Sequence, residues 1–449
     1  MVGIANYELR IERQKQRQET GDGDGNGNGL GKLMIDRICC LIVFMMLVAV
    51  GDLAVAQPAF GKRGLEIAED AGPPQNHREL AKRLRKFDNR ILALQKVIDK
   101  KPGDTSGNAE LWFKMAESRW DYARFCEQMS SSEHLSDNSN PSSEDMAKHI
   151  ADMKHCSEKQ RLEAIKVMGK LAALTSYPKQ DQALFHLGYY QSITGNVRAA
   201  GQALTQLVKD FPETPFAPDA YLLLAEHAFE QAMLKQAISF YEKVLRYHES
   251  PVALYARYKL AWCRYNLGEY AAALKLFSDV IAESKEGHWK HLRREALRDL
   301  VLTYASIGKC EKAESFFKTV APDDTTEMLS TLALLYVDMG KFTESDFILE
   351  NLVNSEPDSP KLFGYYRVWV RNAHMLGRSD DLVKRAMQMA HAFHAWKSQQ
   401  KTIAKEEQKL VPEMVEQLLK DYEDAAGRGI PEAKITSGKL RKVLRRITH

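Results

Sequence analysis

The chain lacks a strong net charge and the short motifs of catalysis. Its 63 Lys and Arg against 60 Asp and Glu leave a formal net charge of +3 over 449 residues, which is too small to indicate nucleic acid or a strongly acidic partner. No metal-protease helix, phosphate loop, dinucleotide fingerprint or nucleophile elbow occurs. We therefore expect no enzyme, no cofactor and no nucleic-acid partner, with an unrecognised active site as the open alternative.

Two histidine pairs come nearest to a metal site. His288 with His291 and His391 with His394 are three residues apart on predicted helices, so each pair could face one ligand. Two imidazoles leave a zinc site short of ligands, and no carboxylate or thiol completes either pair at a recognisable spacing. We expect surface histidines and no bound metal.

A short apolar run near the start of the chain indicates export. Residues 38–50 follow Lys32 and Arg37, and Ala54 and Ala56 come after them in a small-x-small arrangement. This is typical of a secretory signal peptide cleaved after Ala56. A membrane-spanning helix is the alternative, although thirteen residues cover only about 20 Å of a hydrocarbon core that is about 30 Å thick.

The segment before this run contains GDGDGNGNGLG, which invites a calcium-loop interpretation. Position 12 of such a loop needs glutamate, and the two registers place Ile35 or Leu33 there. We expect a disordered leader, or a start codon assigned too far upstream of Met34. Residues 1–56 are thus predicted to be leader plus signal peptide, and 57–76 a linker.

The middle of the chain repeats one pattern five times. With Asp181, Pro218, Leu254, Arg294 and Thr326 at position 1, the starts are 37, 36, 40 and 32 residues apart. Small residues recur at position 20 and, in four of the five, at position 8; bulky residues recur at 7, 24 and 27, and four of the five have glycine at 15. The register beginning at Leu254 shows the pattern with Leu260, Ala261, Gly268, Ala273, Phe277 and Val280.

This pattern predicts a pair of antiparallel helices in each repeat. Positions 7 and 8 share a face of the first helix, and positions 20, 24 and 27 share a face of the second. Small residues such as Ala261 and Ala273 let the two helices approach closely, while the bulky residues fill the remaining space. Glycine at position 15 closes the first helix in a left-handed conformation, and proline near position 32 stops the second.

The pattern resembles the tetratricopeptide repeat, a 34-residue helix pair with small and large residues at these positions. The resemblance extends over roughly 109–390 and implies an all-α fold, an α-α superhelix of about seven helix pairs with flanking helices. The run from Phe211 to Phe277 is similar to envelope repeat proteins of Gram-negative bacteria, such as the outer-membrane assembly lipoprotein and the cell-division coordinator. AELWFKMAESRWDYARF, from Ala109 to Phe125, is similar to myxobacterial gliding-motility proteins.

The flanks of the five repeats depart from the pattern. The predicted boundaries are an opening helix at 77–102, a split repeat at 109–178 with a polar insert at 129–146, five repeats at 181–359, a degenerate repeat at 363–396, capping helices at 397–430 and a basic tail at 431–449. Such a tail can rest on an anionic surface. We expect instead a solvated chain end.

Cys126 and Cys156 lie on either side of the polar insert. Export would place them in an oxidising compartment, where a disulfide between them would clamp the split repeat. Two free thiols on helices are the alternative, since sequence alone gives no geometry.

Concave-face contacts in the resembled family come mainly from positions 2, 5, 9, 12 and 13. Carried onto this chain, these positions predict a groove that binds a peptide or helix of another envelope protein; its aromatic residues are Phe185, Tyr189, Phe229, Tyr255, Tyr258, Trp262 and Tyr265. Aromatic rings make large, stiff contacts of the kind found at binding hot spots. The alternative is that these rings pack on the next repeat or on the loop of the split repeat.

Together these features predict a non-enzymatic periplasmic scaffold in a cell-envelope machine, for gliding motility or outer-membrane assembly. Association with outer- or inner-membrane machinery stays open. A peptidoglycan- or glycan-binding envelope or cell-division factor is the alternative, since such ligands would also use the aromatic groove.

Overall fold

The computed structural model describes residues 77–100, 107–131, 143–285, 289–398 and 405–448, all within one compact unit. The predicted leader, signal peptide and linker lie outside the described residues. Those residues form no β-strand. Their α-helices are α1 (His77–Ile98), α2 (Ala109–Ser131), α3 (Ser143–Ala172), α4 (Gln180–Ile193), α5 (Val197–Asp210), α6 (Ala217–Glu230), α7 (Leu234–Val244), α8 (Ala253–Asn266), α9 (Tyr270–Glu283), α10 (Lys290–Ile307), α11 (Cys310–Val320), α12 (Thr325–Asp338), α13 (Phe342–Ser355), α14 (Leu362–Met375), α15 (Ser379–Ser398), α16 (Lys405–Gly427) and α17 (Pro431–Thr448).

The helices from α2 to α15 form seven consecutive pairs, flanked by α1 on one side and by α16 and α17 on the other. Helices α4 to α13 are the five predicted repeats. In six pairs the two helices pack closely on each other, and in α10–α11 the ring of Tyr304 bridges them, 5.0 Å from Phe316 and 5.1 Å from Phe317. The predicted all-α helical-repeat superhelix is confirmed.

The small residues of the repeat lie where the helices approach most closely. Ala261 and Ala273 are both fully buried in one hydrophobic core with Phe277. In α4, a Cβ atom on Gly188 would lie 2.6 Å from Cγ of Leu204, which fills the space that the glycine leaves. The side-chain sizes at positions 8, 20 and 24 are therefore matched across each pair.

Replacing Ala273 by phenylalanine is expected to lower the free energy of unfolding by about 1–3 kcal/mol. Ala273 is 0% exposed, so the added ring has no room without displacing a helix. Ala272→Phe on the same helix is the matched control, because Ala272 is exposed and its substitution should change stability by less than about 0.5 kcal/mol. Urea unfolding of both variants decides the matter, and equal stabilities would contradict the predicted register.

Position 15 shows why most repeats carry glycine at the turn. Gly195, Gly268 and Gly340 have φ of 77°, 77° and 72°, a left-handed conformation that glycine adopts without strain. Gly308 is different, because it has an extended conformation with φ −73° and ψ 154°. There a Cβ atom would lie 2.2 Å from the ring of Tyr304, so close approach, and not the predicted left-handed turn, requires glycine.

The second repeat has Ala232 at position 15, with φ 57°. A left-handed L-residue carries about 1–2 kcal/mol of strain, whereas glycine loses about 0.5–1 kcal/mol in backbone entropy. We expect Ala232→Gly to raise the free energy of unfolding by up to about 1 kcal/mol. Gly268→Ala should lower the free energy of unfolding by a similar amount through backbone strain alone, because no atom lies near the new Cβ atom to add a steric clash. Urea unfolding of the two variants should show opposite signs, and equal signs would contradict the backbone explanation.

The split repeat is more helical than predicted. The polar insert was expected at 129–146, but α2 continues to Ser131 and α3 already begins at Ser143. A bond joins Cys126 to Cys156, with their Cα atoms 6.2 Å apart. Arg119 adds a hydrogen bond from Nη1 to Oε1 of Gln160 at 2.9 Å, so the two long helices are tied along their length.

The C-terminal segment is folded, and the expectation of a solvated chain end is wrong for residues 431–448. They form α17, whose Leu440, Val443 and Ile447 are buried in the same hydrophobic core as the last repeats. The basic residues of this helix are exposed on the opposite side: Lys434, Lys439, Arg441, Lys442, Arg445 and Arg446. The sequence interpretation considered only the basic residues of this segment and overlooked the apolar residues Leu440, Val443 and Ile447, which have helical spacing.

Candidate protein-binding face

Four of the seven predicted groove residues lie on α8. Tyr255, Tyr258, Trp262 and Tyr265 are each half-buried at spacings of three and four residues, so they share one face of the helix. Adjacent rings touch: the centroids of Tyr255 and Tyr258 are 6.4 Å apart and those of Trp262 and Tyr265 are 5.3 Å apart. We call these four residues the α8 aromatic row.

The polar tips of two rings in the row converge on one buried carboxylate of α10. The Tyr258 hydroxyl donates to Oδ2 of Asp299 at 2.6 Å, and Nε1 of Trp262 donates to the same oxygen at 3.0 Å. Asp299 is 1% exposed. Arg298 donates from Nε to the other oxygen, Oδ1, at 3.3 Å. The carboxylate therefore fixes the orientation of both rings and ties α8 to the next repeat.

Burial decides the protonation of this carboxylate. Loss of water around Asp299 raises its pKa to about 6, although the charge of Arg298 and the hydrogen bond from Tyr258 act in the opposite direction. Burial and the nearby Asp299 carboxylate also raise the pKa of Tyr258, so this hydroxyl stays a donor. The arrangement holds aromatic surface in place and presents no nucleophile paired with a base.

A second polar link lies one repeat earlier and includes Phe229. Nζ of Lys259 on α8 lies 3.0 Å from Oε2 of Glu226 on α6, and the hydroxyl of Tyr241 donates to Oε1 of that carboxylate. The ammonium also lies 4.4 Å from the ring centroid of Phe229 and 5.9 Å from that of Tyr255, which are cation–π distances. Lys259 thus connects Phe229 to the α8 aromatic row.

Both links follow one rule that sequence reasoning missed. In each, position 9 of one repeat faces position 6 of the next: Glu226 faces Lys259, and Trp262 faces Asp299. Lysine and aspartate are almost never fully buried unless paired. The detectable signal was a charged residue at position 6, next to the apolar positions 7 and 8 of the first helix.

Phe185 and Tyr189, the two predicted groove residues on α4, lie in a different ring cluster. Phe185 is 1% exposed and its ring stacks on that of Phe216 at 5.2 Å, so the expectation that Phe185 lines an open groove is wrong. Tyr189 is half-buried, with its ring centroid 6.3 Å from that of Trp120. Position 5 of this repeat serves packing, because Phe216 just before α6 covers it.

The described residues were predicted to hold no metal ion, and their histidines and helices can be compared with that expectation. They contain no group of three or more His, Cys, Asp or Glu side chains placed to hold a metal ion. His391 and His394 are exposed, and His288 lies outside the described residues. Among the helices described, none combines the length and apolar character needed to cross a bilayer, and the predicted signal peptide is outside their range.

Comparison with known proteins gives one family match. Residues 162–334 match the tetratricopeptide repeat-like domain, and no curated protein matches the chain. A tetratricopeptide repeat protein from Parabacteroides merdae is 17% identical over 60% of this chain and 99% of its own, with a TM-score of 0.31. Nearly identical repeats of a putative kinesin light chain from Podosopora anserina are 17% identical over 50% of this chain and 99% of theirs, with a TM-score of 0.28.

The matched residues extend from the middle of α3 into α12 and so include most of the repeats and the whole α8 aromatic row. Most of their helix pairs carry small residues at positions 8 and 20 and a turn at position 15. A tetratricopeptide repeat-like fold supports a general role in protein–protein interaction. Residues 162–334 of this chain therefore form a tetratricopeptide repeat-like domain.

Proposed function

We propose that this protein is a non-enzymatic scaffold that binds an extended or helical segment of another protein along the α8 aromatic row. The observation that carries the proposal is the buried carboxylate of Asp299, which holds Tyr258 and Trp262 in fixed orientations while both rings stay half-exposed. Rings that are already ordered lose little side-chain entropy when a partner binds. Rigid aromatic surface of this kind is typical of hot spots.

The two ends of the α8 aromatic row present mainly uncharged ring surface. Lys259 lies under Phe229 and Tyr255 and is neutralised by Glu226, so this end of the row presents ring surface with no free charge from that pair. Tyr265, at the other end, contacts Tyr270 of α9 at 5.3 Å between ring centroids. A partner with apolar and aromatic side chains fits this surface better than one with a strong charge.

The cell envelope is the place we propose for this activity. Three features support it: the predicted signal peptide with its apolar run at residues 38–50 and cleavage after Ala56, the bonded pair Cys126 and Cys156, and the similarity to envelope repeat proteins. Disulfides persist in exported proteins and are rare in the cytosol. The scaffold would then serve a machine of gliding motility or outer-membrane assembly. Cell fractionation tests the compartment directly, and a cytoplasmic pool of unprocessed chain would contradict it.

The binding face is tested by crosslinking in cells. A photo-reactive phenylalanine analogue at Tyr255 or Tyr265 should attach to the same partner, because both rings are in the row. Replacing either one leaves the hydrogen bonds from Tyr258 and Trp262 to Asp299 in place. Tyr255→Ala with Tyr265→Ala should abolish capture of that partner by purified protein. Phe240→Ala is the matched control, since Phe240 is half-buried on α7 beside a separate groove.

Three outcomes would contradict the proposal: attachment from position 240 but not from the row, capture unchanged in the double variant, or loss of the helical far-ultraviolet spectrum in that variant. A glycan ligand is distinguished by sedimentation with cell-wall sacculi. If the wild-type protein sediments with sacculi stripped of protein and the double variant does not, the row binds glycan and not a protein segment.

A further inference from the structure

Helix α1 has two distinct faces. Leu80, Ile91 and Ile98 are buried, and they form a core with residues of α2 such as Met115 and Met129. Phe87 adds a stacked contact with Tyr122 of α2, 5.0 Å between ring centroids. One side of α1 is therefore committed to the split repeat, and this helix lies outside the residues that match the repeat family.

The opposite face of α1 carries a row of exposed cations. At about 100° per residue they fall within an arc of about 100°, on one side of the helix, over a length of about 27 Å at 1.5 Å per residue. All are exposed, and within the described part of the chain none of them forms an ion pair. We call this set the basic stripe: Arg78, Lys82, Arg85, Lys86 and Lys96.

The acidic residues of α1 lie off the stripe and are engaged elsewhere. Glu79 pairs with Arg83 at 2.7 Å. Asp99, just beyond the helix, accepts a hydrogen bond from the side-chain amide of Gln95 at 2.7 Å, and Asp88 bonds Tyr122. The stripe is therefore not neutralised by its own helix, and the helix and its turn contribute an uncompensated positive field on one side.

Two exposed aliphatic residues lie within or beside the stripe. Leu92 is 52% exposed and Val97 is 49% exposed. On a helical projection with about 100° per residue, Leu92 falls about 20° beyond Arg85 and Val97 about 20° beyond Lys86, so the two aliphatic side chains flank the stripe on its two edges. Cations flanked by exposed aliphatic side chains suit a bilayer surface, because the charges meet anionic lipid headgroups while the aliphatic groups reach the boundary with the acyl chains. Phosphate groups of a nucleic acid would satisfy the cations but give no gain for Leu92 and Val97.

We propose that the basic stripe of α1 is a docking surface for an anionic lipid bilayer, on which the cations contact lipid phosphates while Leu92 and Val97 enter the headgroup region. The helix lies flat on the bilayer, since its buried side is held by α2. The repeats are thereby presented to their protein partner next to a membrane. This surface is separate from the α8 aromatic row, so either one can fail without the other.

Binding to vesicles of defined composition tests the proposal with the full chain. Vesicles of phosphatidylcholine with and without 30% phosphatidylglycerol are compared. Neutral vesicles report any binding through the apolar run at 38–50, and the excess on anionic vesicles reports the stripe. Each cation near an anionic surface contributes about fivefold in affinity. Substituting Lys82, Arg85, Lys86 and Lys96 by glutamine should therefore reduce the excess by at least about 100-fold.

The matched control replaces four exposed lysines on other helices by glutamine, namely Lys209, Lys235, Lys275 and Lys312. It has the same net charge as the stripe variant and should keep most of the excess binding. Leu92→Ser with Val97→Ser should weaken binding to anionic vesicles with little change in its salt dependence. All the substituted residues are exposed, so the helical spectrum should be retained.

Several results would overturn the proposal. They are the absence of excess binding by the wild-type chain, equal losses in the stripe variant and its control, and full binding by the Leu92→Ser, Val97→Ser variant. A duplex DNA probe separates the remaining alternative. If the stripe variant loses DNA binding but keeps vesicle binding, the stripe recognises nucleic acid and not lipid. None of these results depends on the partner of the α8 aromatic row.

Discussion

Removal of the bond between Cys126 and Cys156 is expected to lower the free energy of unfolding of the α2–α3 segment by about 3–4 kcal/mol. The two residues are separated by 30 positions in the chain. A crosslink of that span restricts the unfolded segment, and the chain-entropy relation gives this magnitude for such a loop. The ties that remain, such as Arg119 to Gln160 at 2.9 Å, are polar contacts that contribute about 1 kcal/mol each.

The effect should be local, because each repeat contacts mainly its neighbours. Hydrogen exchange of Cys126→Ser with Cys156→Ser should speed up in α1 to α3 and change little in α14 and α15. Dithiothreitol should reproduce the change in the wild-type chain and do nothing further to the variant. If the thiol content of the folded chain does not rise by two on reduction, or if exchange in α2 is unaffected, the bond is not a stabilising one.

The repeat could be predicted because its determinants are local. Ala273 and Phe277 lie one helical turn apart. The small side chain of Ala273 predicts that a second helix approaches closely there, and the large ring of Phe277 predicts that the neighbouring helix is farther away. Position 308 is glycine, as the pattern predicts, but the physical reason is different. The ring of Tyr304 occupies the space that a Cβ atom would need there. Ala232 shows the reverse, a left-handed turn without the glycine that marks it. A turn in the chain is thus visible, but its backbone conformation is not.

The candidate site could be predicted only in part, because its key partner lies 37 residues away from Trp262 in sequence. The aromatic row follows from α8 alone. The buried acceptor, Asp299, depends on how successive repeats stack, and no periodicity within one helix reports that. Phe185 was misplaced for the same reason, since Phe216 covers it from the next repeat. Similarly, the length of α3 and the fold of α17 depend on surfaces supplied by other helices.

The contribution of Asp299 to the stability of this protein is expected to decrease as pH rises from about 4 to about 7, and Asp299→Asn should remove that decrease. The pKa of Asp299 is raised to about 6 in the folded chain by burial and is about 3.9 in unfolded peptides. Between these values the folded state keeps a proton that the unfolded state releases, so ionisation favours unfolding. Each pKa unit corresponds to 1.36 kcal/mol, which gives an effect of about 3 kcal/mol at neutral pH.

Glu117 and Asp121 on α2 titrate in the same direction, because burial raises their pKa values to about 7 and about 6. They are present in both chains, so their contributions cancel when the variant is compared with the wild type. Urea unfolding at pH 4, 5, 6 and 7 should show the variant gaining on the wild type by about 2 kcal/mol across this range, since part of the effect is already present at pH 4. Asp323→Asn, at an exposed aspartate, should follow the wild-type profile. Parallel profiles for Asp299→Asn and the wild type would mean that the Asp299 carboxylate is ionised in the folded protein at pH 4, held by Tyr258, Trp262 and Arg298.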